Sequence, residues 1–148
     1  MEIKSWEEYF LDLAKTCASR SNCLRAQVGA VIVGDDKKIK ATGYNGTPSK
    51  VESCYERSNC YRIEHNIQSG TCYETCRSIH AEQNAIIQAG QDRCKGSTMY
   101  IWGHNFICIL CKRFIVQSGI KDVYLKKNED SPVVHVTVED IRKELDAM

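Results

Sequence analysis

Val28-Gly29-Ala30-Val31-Ile32-Val33 is an apolar run long enough for a buried strand and too short for a helix. Gly34-Asp35-Asp36-Lys37-Lys38 follows as a polar turn, and Ile39-Lys40-Ala41-Thr42-Gly43-Tyr44 can return as the second strand of a hairpin. Upstream, Ser5 to about Ser19 reads as a helix. Ser5 stands three residues before Glu8, a capping-box spacing. Trp6, Tyr9, Phe10, Leu13, Ala14 and Cys17 recur at helical intervals and give it one apolar face. Downstream, Ile79 to Ala89 is helical in pattern with Gly90 as its stop, and Ser97 to Trp102 reads as a strand. Cys108 to Ser118 reads as a helix closed by Gly119, Asp122 to Lys126 as a strand, and Val133 to Val138 as another. Thr137 caps a last amphipathic helix through Ile141 and Leu145. A hairpin followed by helices alternating with strands predicts an α/β fold. The expected architecture is a three-layer α/β/α sandwich around one mixed central sheet that starts with the hairpin.

The chain has 148 residues, which leaves room for one ordinary core, so residues 1–148 are expected to form a single domain. Within it, residues 45–77 form a cysteine-rich insertion, and 127–148 a C-terminal tail with a short strand and helix. Lys plus Arg number 20 and Asp plus Glu 19, a formal charge of +1. That balance argues against a general grip on long polyphosphate chains, hence against nucleic acid, and against anionic membranes. It leaves room for one small phosphate held by one or two Arg. No run approaches the roughly 20 apolar residues that cross a bilayer. The start, Met1-Glu2-Ile3-Lys4-Ser5-Trp6-Glu7-Glu8, has neither the basic residues nor the apolar stretch of an export signal. A soluble protein of the cytoplasm is expected. In that reducing compartment nine cysteines are poor material for disulfides, and clustered Cys and His point to metal.

His80-Ala81-Glu82 and, 26 positions after Glu82, Cys108-Ile109-Leu110-Cys111 carry the chemistry. Cys108 and Cys111 are three apart at the start of a predicted helix, so both sulfurs share a face. With His80 they offer three ligands of the kind zinc prefers, leaving the fourth tetrahedral position for water. Such a water has its pKa lowered to about 7. Glu82 then has the task of taking its proton and passing it to a ring nitrogen and an amine leaving group. One tension is geometric: residues two apart on an ideal helix point to different sides. His80 must therefore lie near the cap if it is to share a pocket with Glu82. Each motif alone is weak, since C-x-x-C also serves structural zinc or redox chemistry and His is often a polar core residue.

H-x-E followed by C-x-x-C is the pattern of zinc-dependent nucleobase deaminases. Three longer stretches resemble the deoxycytidylate deaminases: Cys23-Leu24-Arg25-Ala26-Gln27-Val28-Gly29, Ala41-Thr42-Gly43-Tyr44-Asn45-Gly46-Thr47-Pro48 and His80-Ala81-Glu82-Gln83-Asn84-Ala85-Ile86. Gly119-Ile120-Lys121-Asp122-Val123-Tyr124 fits the same family, and the similarity runs from about Trp6 to Lys126. The resemblance implies a cytidine-deaminase-like fold and hydrolytic deamination of dCMP to dUMP and ammonia, feeding thymidylate synthesis. It implies zinc-activated water with Glu82 as proton shuttle. The backbone N–H groups of Ala81 and Cys108 would hold the pyrimidine carbonyl, Asn45 would contact the sugar, and Tyr124 would wall the base. Arg25 is the candidate for the monophosphate. Cys23, Cys54, Cys60 and Cys76 match cysteines of those relatives that carry a second, structural zinc, with Cys72 and His65 as substitute ligands. Cys17 reads as a packed helix residue and Cys94 as an exposed loop thiol. Effector binding of dCTP and dTTP and a homo-oligomeric state are also implied.

The chain departs from the family in two places. Ile107 stands where Pro usually precedes the first Cys, and His104-Asn105 replace a Thr-containing approach. The loop into the metal site is thereby differently shaped, and His104 either contacts substrate or caps the loop. Competing readings are deamination of another cytosine nucleotide or nucleoside (dCTP, cytidine) and a zinc-binding module without catalysis.

Overall fold

A computed structural model describes residues 1–148. Its elements in chain order are α1 (Trp6–Ala18), β1 (Gly29–Val33), β2 (Ile39–Tyr44), two short helical turns α2 (Cys54–Arg57) and α3 (Tyr61–Glu64), and α4 (Ala81–Ala89). There follow α5 (Gln91–Cys94), β3 (Thr98–Trp102), α6 (Ile109–Ser118), β4 (Asp122–Lys126), β5 (Val134–Thr137) and α7 (Val138–Asp146). All five strands join one sheet in the order β2-β1-β3-β4-β5. Only β3 and β4 run parallel, and α6 is the crossover between them. The expected mixed sheet beginning with a hairpin is the one observed. No helix is long and apolar enough to cross a membrane.

The sheet is covered on both faces because its strands alternate two apolar sets. Val31, Val33 and Tyr100 face α1 and pack with Phe10, Leu11 and Ala14. Ala30, Ile32, Met99, Ile101, Val123 and Leu125 join Ala81, Ala85, Cys111, Ile115 and Ile141 of α4, α6 and α7 in the larger core. The expected face of α1 is only half right. Trp6 is 51% and Tyr9 44% exposed, while Leu11 and Ala18 are buried. Trp6 instead stacks on the buried Phe10 at 5.6 Å and meets Tyr9 edge-on at 6.2 Å. Cys94 is not an exposed loop thiol, because α5 turns it fully into the core.

Local chemistry sets the helix ends. The Glu8 N–H donates to Ser5 Oγ at 3.1 Å, and the Asp140 N–H to Thr137 Oγ1 at 3.2 Å, so both expected N-caps are in place. Gly119 stops α6 with φ 88°, a left-handed conformation that suits glycine. Gly43 allows the closest helix–sheet approach near the site: a Cβ there would lie 2.4 Å from the Ala81 carbonyl oxygen and 2.6 Å from the Ala85 nitrogen.

Two further features shape the surroundings. The outer margin of β2 is covered by side chains of the α4–α5 region. The Asn84 amide donates to the Tyr44 carbonyl at 2.8 Å, Gln88 Oε1 accepts from the Thr42 N–H at 2.8 Å, and the Arg93 guanidinium donates to the Lys40 carbonyl. The cysteine-rich segment is closed at its ends by reciprocal backbone bonds between Gly46 and Ile79, 3.1 and 2.8 Å. Ile79 directly precedes His80, so this clamp fixes where α4 begins.

Candidate active site

His80 and Cys108 are the N-caps of α4 and α6, with nearly identical extended backbones (φ −71°, ψ 153° and φ −70°, ψ 159°). This removes the geometric tension between His80 and Glu82. A residue outside the helical spiral turns its side chain back across the first turn, where Glu82 also points. The His80 N–H donates to Gln83 Oε1 at 2.9 Å, which holds the cap. Two helix N-termini thus meet in one place, and their positive ends favour thiolate and carboxylate.

His80 Nδ1 lies 3.3 Å from the sulfurs of both Cys108 and Cys111, and the three ligand atoms all fall within 4.8 Å of one another. A tetrahedral ion at about 2.0–2.1 Å from nitrogen and about 2.3 Å from sulfur needs N···S edges of about 3.5 Å. The trio therefore fits zinc with little movement. Its electrostatics agree. Cys108 is pulled down to about 4, chiefly by its hydrogen bond with Cys111, against burial and with help from His80. Cys111 is pushed up by sharing a proton with Cys108, by burial and by the nearby Glu82. Burial lowers the His80 pKa, but the bond to Cys108 and the charges of Cys108 and Glu82 outweigh it and leave it raised. Two thiols and an imidazole crowded around one point want a cation there.

Glu82 is 4% exposed, and burial raises its carboxyl above the usual value. It lines a cavity of about 180 Å³ together with His80, Ala81 and Cys108. Arg25 and Asn45 line the same cavity. The Asn45 side chain is buried and largely committed: it accepts from the Val28 N–H at 2.9 Å and donates to the Ala26 carbonyl at 2.8 Å. One amide hydrogen and one lone pair remain for a ligand. Arg25 Nη1 is buried without a protein partner, a donor free for an acceptor brought by a ligand, an anion above all.

Tyr124 does not wall the base, contrary to what the resemblance implies. Val123 and Leu125 enter the core under α4 and α6, so period-2 alternation sends Tyr124 to the opposite face. There it stacks between Tyr100 (5.4 Å) and His135 (4.3 Å), and it does not line the cavity. His104 does line it, half-buried, with its ring 4.9 Å from Phe106. Burial and the neighbouring His80 lower its pKa. Ile107 is buried in the core, so an apolar anchor occupies the place where a ring was expected.

The residue that sequence reasoning missed is Arg62. It is 7% exposed, and its guanidinium donates to the carbonyls of Gln68 (3.3 Å) and Thr71 (2.8 Å) and lies 4.7 Å from the centre of the Tyr73 ring. Its Nε is buried without a partner, and Arg62 and Tyr73 both line the cavity. No periodicity marks an arginine inside a weakly patterned segment. The one available hint is that a buried arginine needs carbonyls or an anion.

Cys54, Cys60 and Cys76 line a neighbouring depression with Arg62, while Cys23 and Cys76 border the main cavity. Burial raises the Cys54 thiol, with the nearby Arg77 opposing and Cys60 and Cys23 adding to the rise. These four are not gathered within 4.8 Å as the first trio is. Cys72 is exposed, and His65 stacks on Tyr61 at 3.9 Å.

A profile of the family described as "Cytidine and deoxycytidylate deaminase zinc-binding region" matches residues 4–127. The chain is 40% identical over 119 residues to a deoxycytidylate deaminase of Schizosaccharomyces pombe, covering 80% of this chain but 36% of that protein. To a deoxycytidylate deaminase of Mycobacterium phage D29 it is 35% identical over 132 residues, covering 86% and 98%. Among solved structures, the dCMP deaminase of cyanophage S-TIM5 in complex with dCMP and dUMP superposes with a TM-score of 0.61 at 29% identity, covering 84% of this chain and 83% of that one.

Proposed function

Because the chain belongs to the cytidine and deoxycytidylate deaminase family, we propose that it hydrolyses dCMP to dUMP and ammonia, as one deaminase domain over residues 1–148 acting in the cytoplasm. The observation that carries this is a buried Glu82 facing one cavity with His80, Cys108 and the unpartnered Arg25. His80, Cys108 and Cys111 would hold zinc, which when bound supplies a Lewis acid that makes water nucleophilic near neutral pH.

The rest is done by the chain. Glu82 accepts a proton from the water that attacks C4 and gives it to N3. It then takes the proton of the new C4 hydroxyl and delivers it to the amine. The C4–N bond breaks, ammonia leaves, and C4 keeps the oxygen. A carboxyl raised by burial suits both directions of transfer. The first-turn N–H of Ala81, and that of Cys108, are the donors for the base carbonyl. Asn45 fixes the Ala26–Val28 wall and offers its remaining valences to the sugar. Arg25, with Arg62 beside it in the same cavity, meets the 5′-phosphate.

Arg25→Ala is expected to raise KM for dCMP about tenfold or more, the loss of one charge-assisted contact, while deoxycytidine turnover stays unchanged. Equal losses on both substrates in steady-state ammonia release would remove Arg25 from the phosphate. The same assay run on dCMP, dCTP, deoxycytidine and cytidine tests the reaction itself: dCMP should be the best of the four.

A second zinc on Cys23, Cys54, Cys60 and Cys76 belongs to the same reading. It is supported by the nearness of Cys60 and Cys23 to Cys54, which adds to the rise of the Cys54 thiol, and by the shared depression of Cys54, Cys60 and Cys76. Four thiolates would make a closed structural site next to the clamp that precedes His80. Elemental analysis is expected to give about two zinc ions per chain, and about one for Cys54→Ser. A single zinc insensitive to that change removes the second site. Homo-oligomerisation and control by dCTP and dTTP complete the proposal, the former supported by exposed Trp6, Tyr9, Ile87 and Phe114.

A further inference from the structure

We propose that the cavity continues into a polyphosphate groove, so that the chain also deaminates the di- and triphosphates of deoxycytidine. This inference rests on cytosine deamination at the same site. A groove of about 670 Å³ adjoins the cavity and shares Arg25, Ser69, His104 and Phe106 with it. Its charged lining is Lys15, Arg25 and Lys127, with no carboxylate. In a chain with nearly equal numbers of acids and bases, that is a local concentration of positive charge.

Arg25 stands on the shared wall with its buried Nη1 unpartnered, so an anion bound there lies at the boundary between the two spaces. Phosphates beyond the first then extend towards Lys127, which is exposed and forms no ion pair. Lys15 is already engaged. It pairs with Glu129 and lies 5.3 Å from the centre of the Trp102 ring. The groove is therefore only partly available to an anion, and Glu129 competes for one of its cations.

The near balance of acids and bases over the whole chain argues for the phosphates of a small nucleotide over a polynucleotide. Asn128 and Asn105 add neutral polar groups to the lining.

The test is ammonia release by the zinc-loaded protein with dCMP, dCDP and dCTP as separate substrates. All three should be deaminated. Lys127→Glu should lower kcat/KM for dCTP about tenfold and change that for dCMP less than about twofold, since charge reversal acts on the distal phosphates. The loss should shrink in about 0.5 M salt, where exposed charges are screened within about 4 Å. Glu129→Gln frees Lys15 and should move dCTP in the opposite direction. Deamination of dCMP alone overturns the groove and leaves the deaminase reading standing, as does an equal loss on dCMP and dCTP in Lys127→Glu. Release from none of the three overturns both.

Discussion

Glu82→Gln is expected to reduce ammonia release from dCMP by about a thousandfold, the range lost when a general acid–base is removed. Zinc content should stay as in the wild type, and the protein should unfold no earlier. The two side chains have the same shape, and the site is 4% exposed, so nothing repacks. What is lost is the proton. An amide cannot take a hydrogen from water and return it to N3 and the amine. Because Gln removes a buried ionisable group, stability should hold or rise. Residual turnover within tenfold of wild type would take Glu82 out of the reaction. The same experiment separates the enzyme from a zinc-binding module without catalysis. In the latter, the wild type itself releases no ammonia from dCMP, dCTP, deoxycytidine or cytidine.

The second large effect is structural. Gly43→Ala is expected to destabilise the fold by about 3 kcal/mol or more, at the upper end of overpacking costs, as read from chemical denaturation. The new methyl would stand 2.4 Å from the Ala81 carbonyl oxygen and 2.6 Å from the Ala85 nitrogen, and backbone cannot step aside as a flexible side chain can. Relief requires α4 to move away from β2, and α4 carries Ala81 and Glu82 and begins at His80. Zinc affinity and turnover should therefore fall with stability. Gly34→Ala is the contrast: a methyl there meets only the side chains of Lys40 and Asp36, and its cost should be within about 0.5 kcal/mol. Equal costs at the two positions would show that α4 tolerates displacement.

The contrast between these glycines also marks how far the sequence could be read. The hairpin, the three helices α1, α6 and α7 with their caps and the three later strands follow from periodicity and from Ser5, Gly119 and Thr137, and they stand where expected within a residue or two. His80, Glu82, Cys108 and Cys111 were legible because metal ligation and proton transfer demand particular residue types at particular spacings. Their convergence required something periodicity does not encode: both His80 and Cys108 sit just outside the helical spiral. For Tyr124, alternation shows that strand neighbours oppose each other, not which face holds the cavity. That depends on which side α4 and α6 occupy. Helical spacing defines a stripe but not its edges, and Trp6 and Tyr9 lie at the exposed edge. Arg62 was invisible for a different reason. Its importance comes from two carbonyls and a ring brought to it by a segment without regular pattern.

The side chains of Asn84, Gln88 and Arg93 along β2 have a consequence for the protein as a material. Runaway cross-β growth needs a sheet that can recruit a strand at each end. Here the Lys40 and Tyr44 carbonyls and the Thr42 N–H already have side-chain partners within the molecule, which disfavours strand addition at β2 relative to β5. Two copies meeting through β5 would present these capped margins outward, which favours a pair over a fibril.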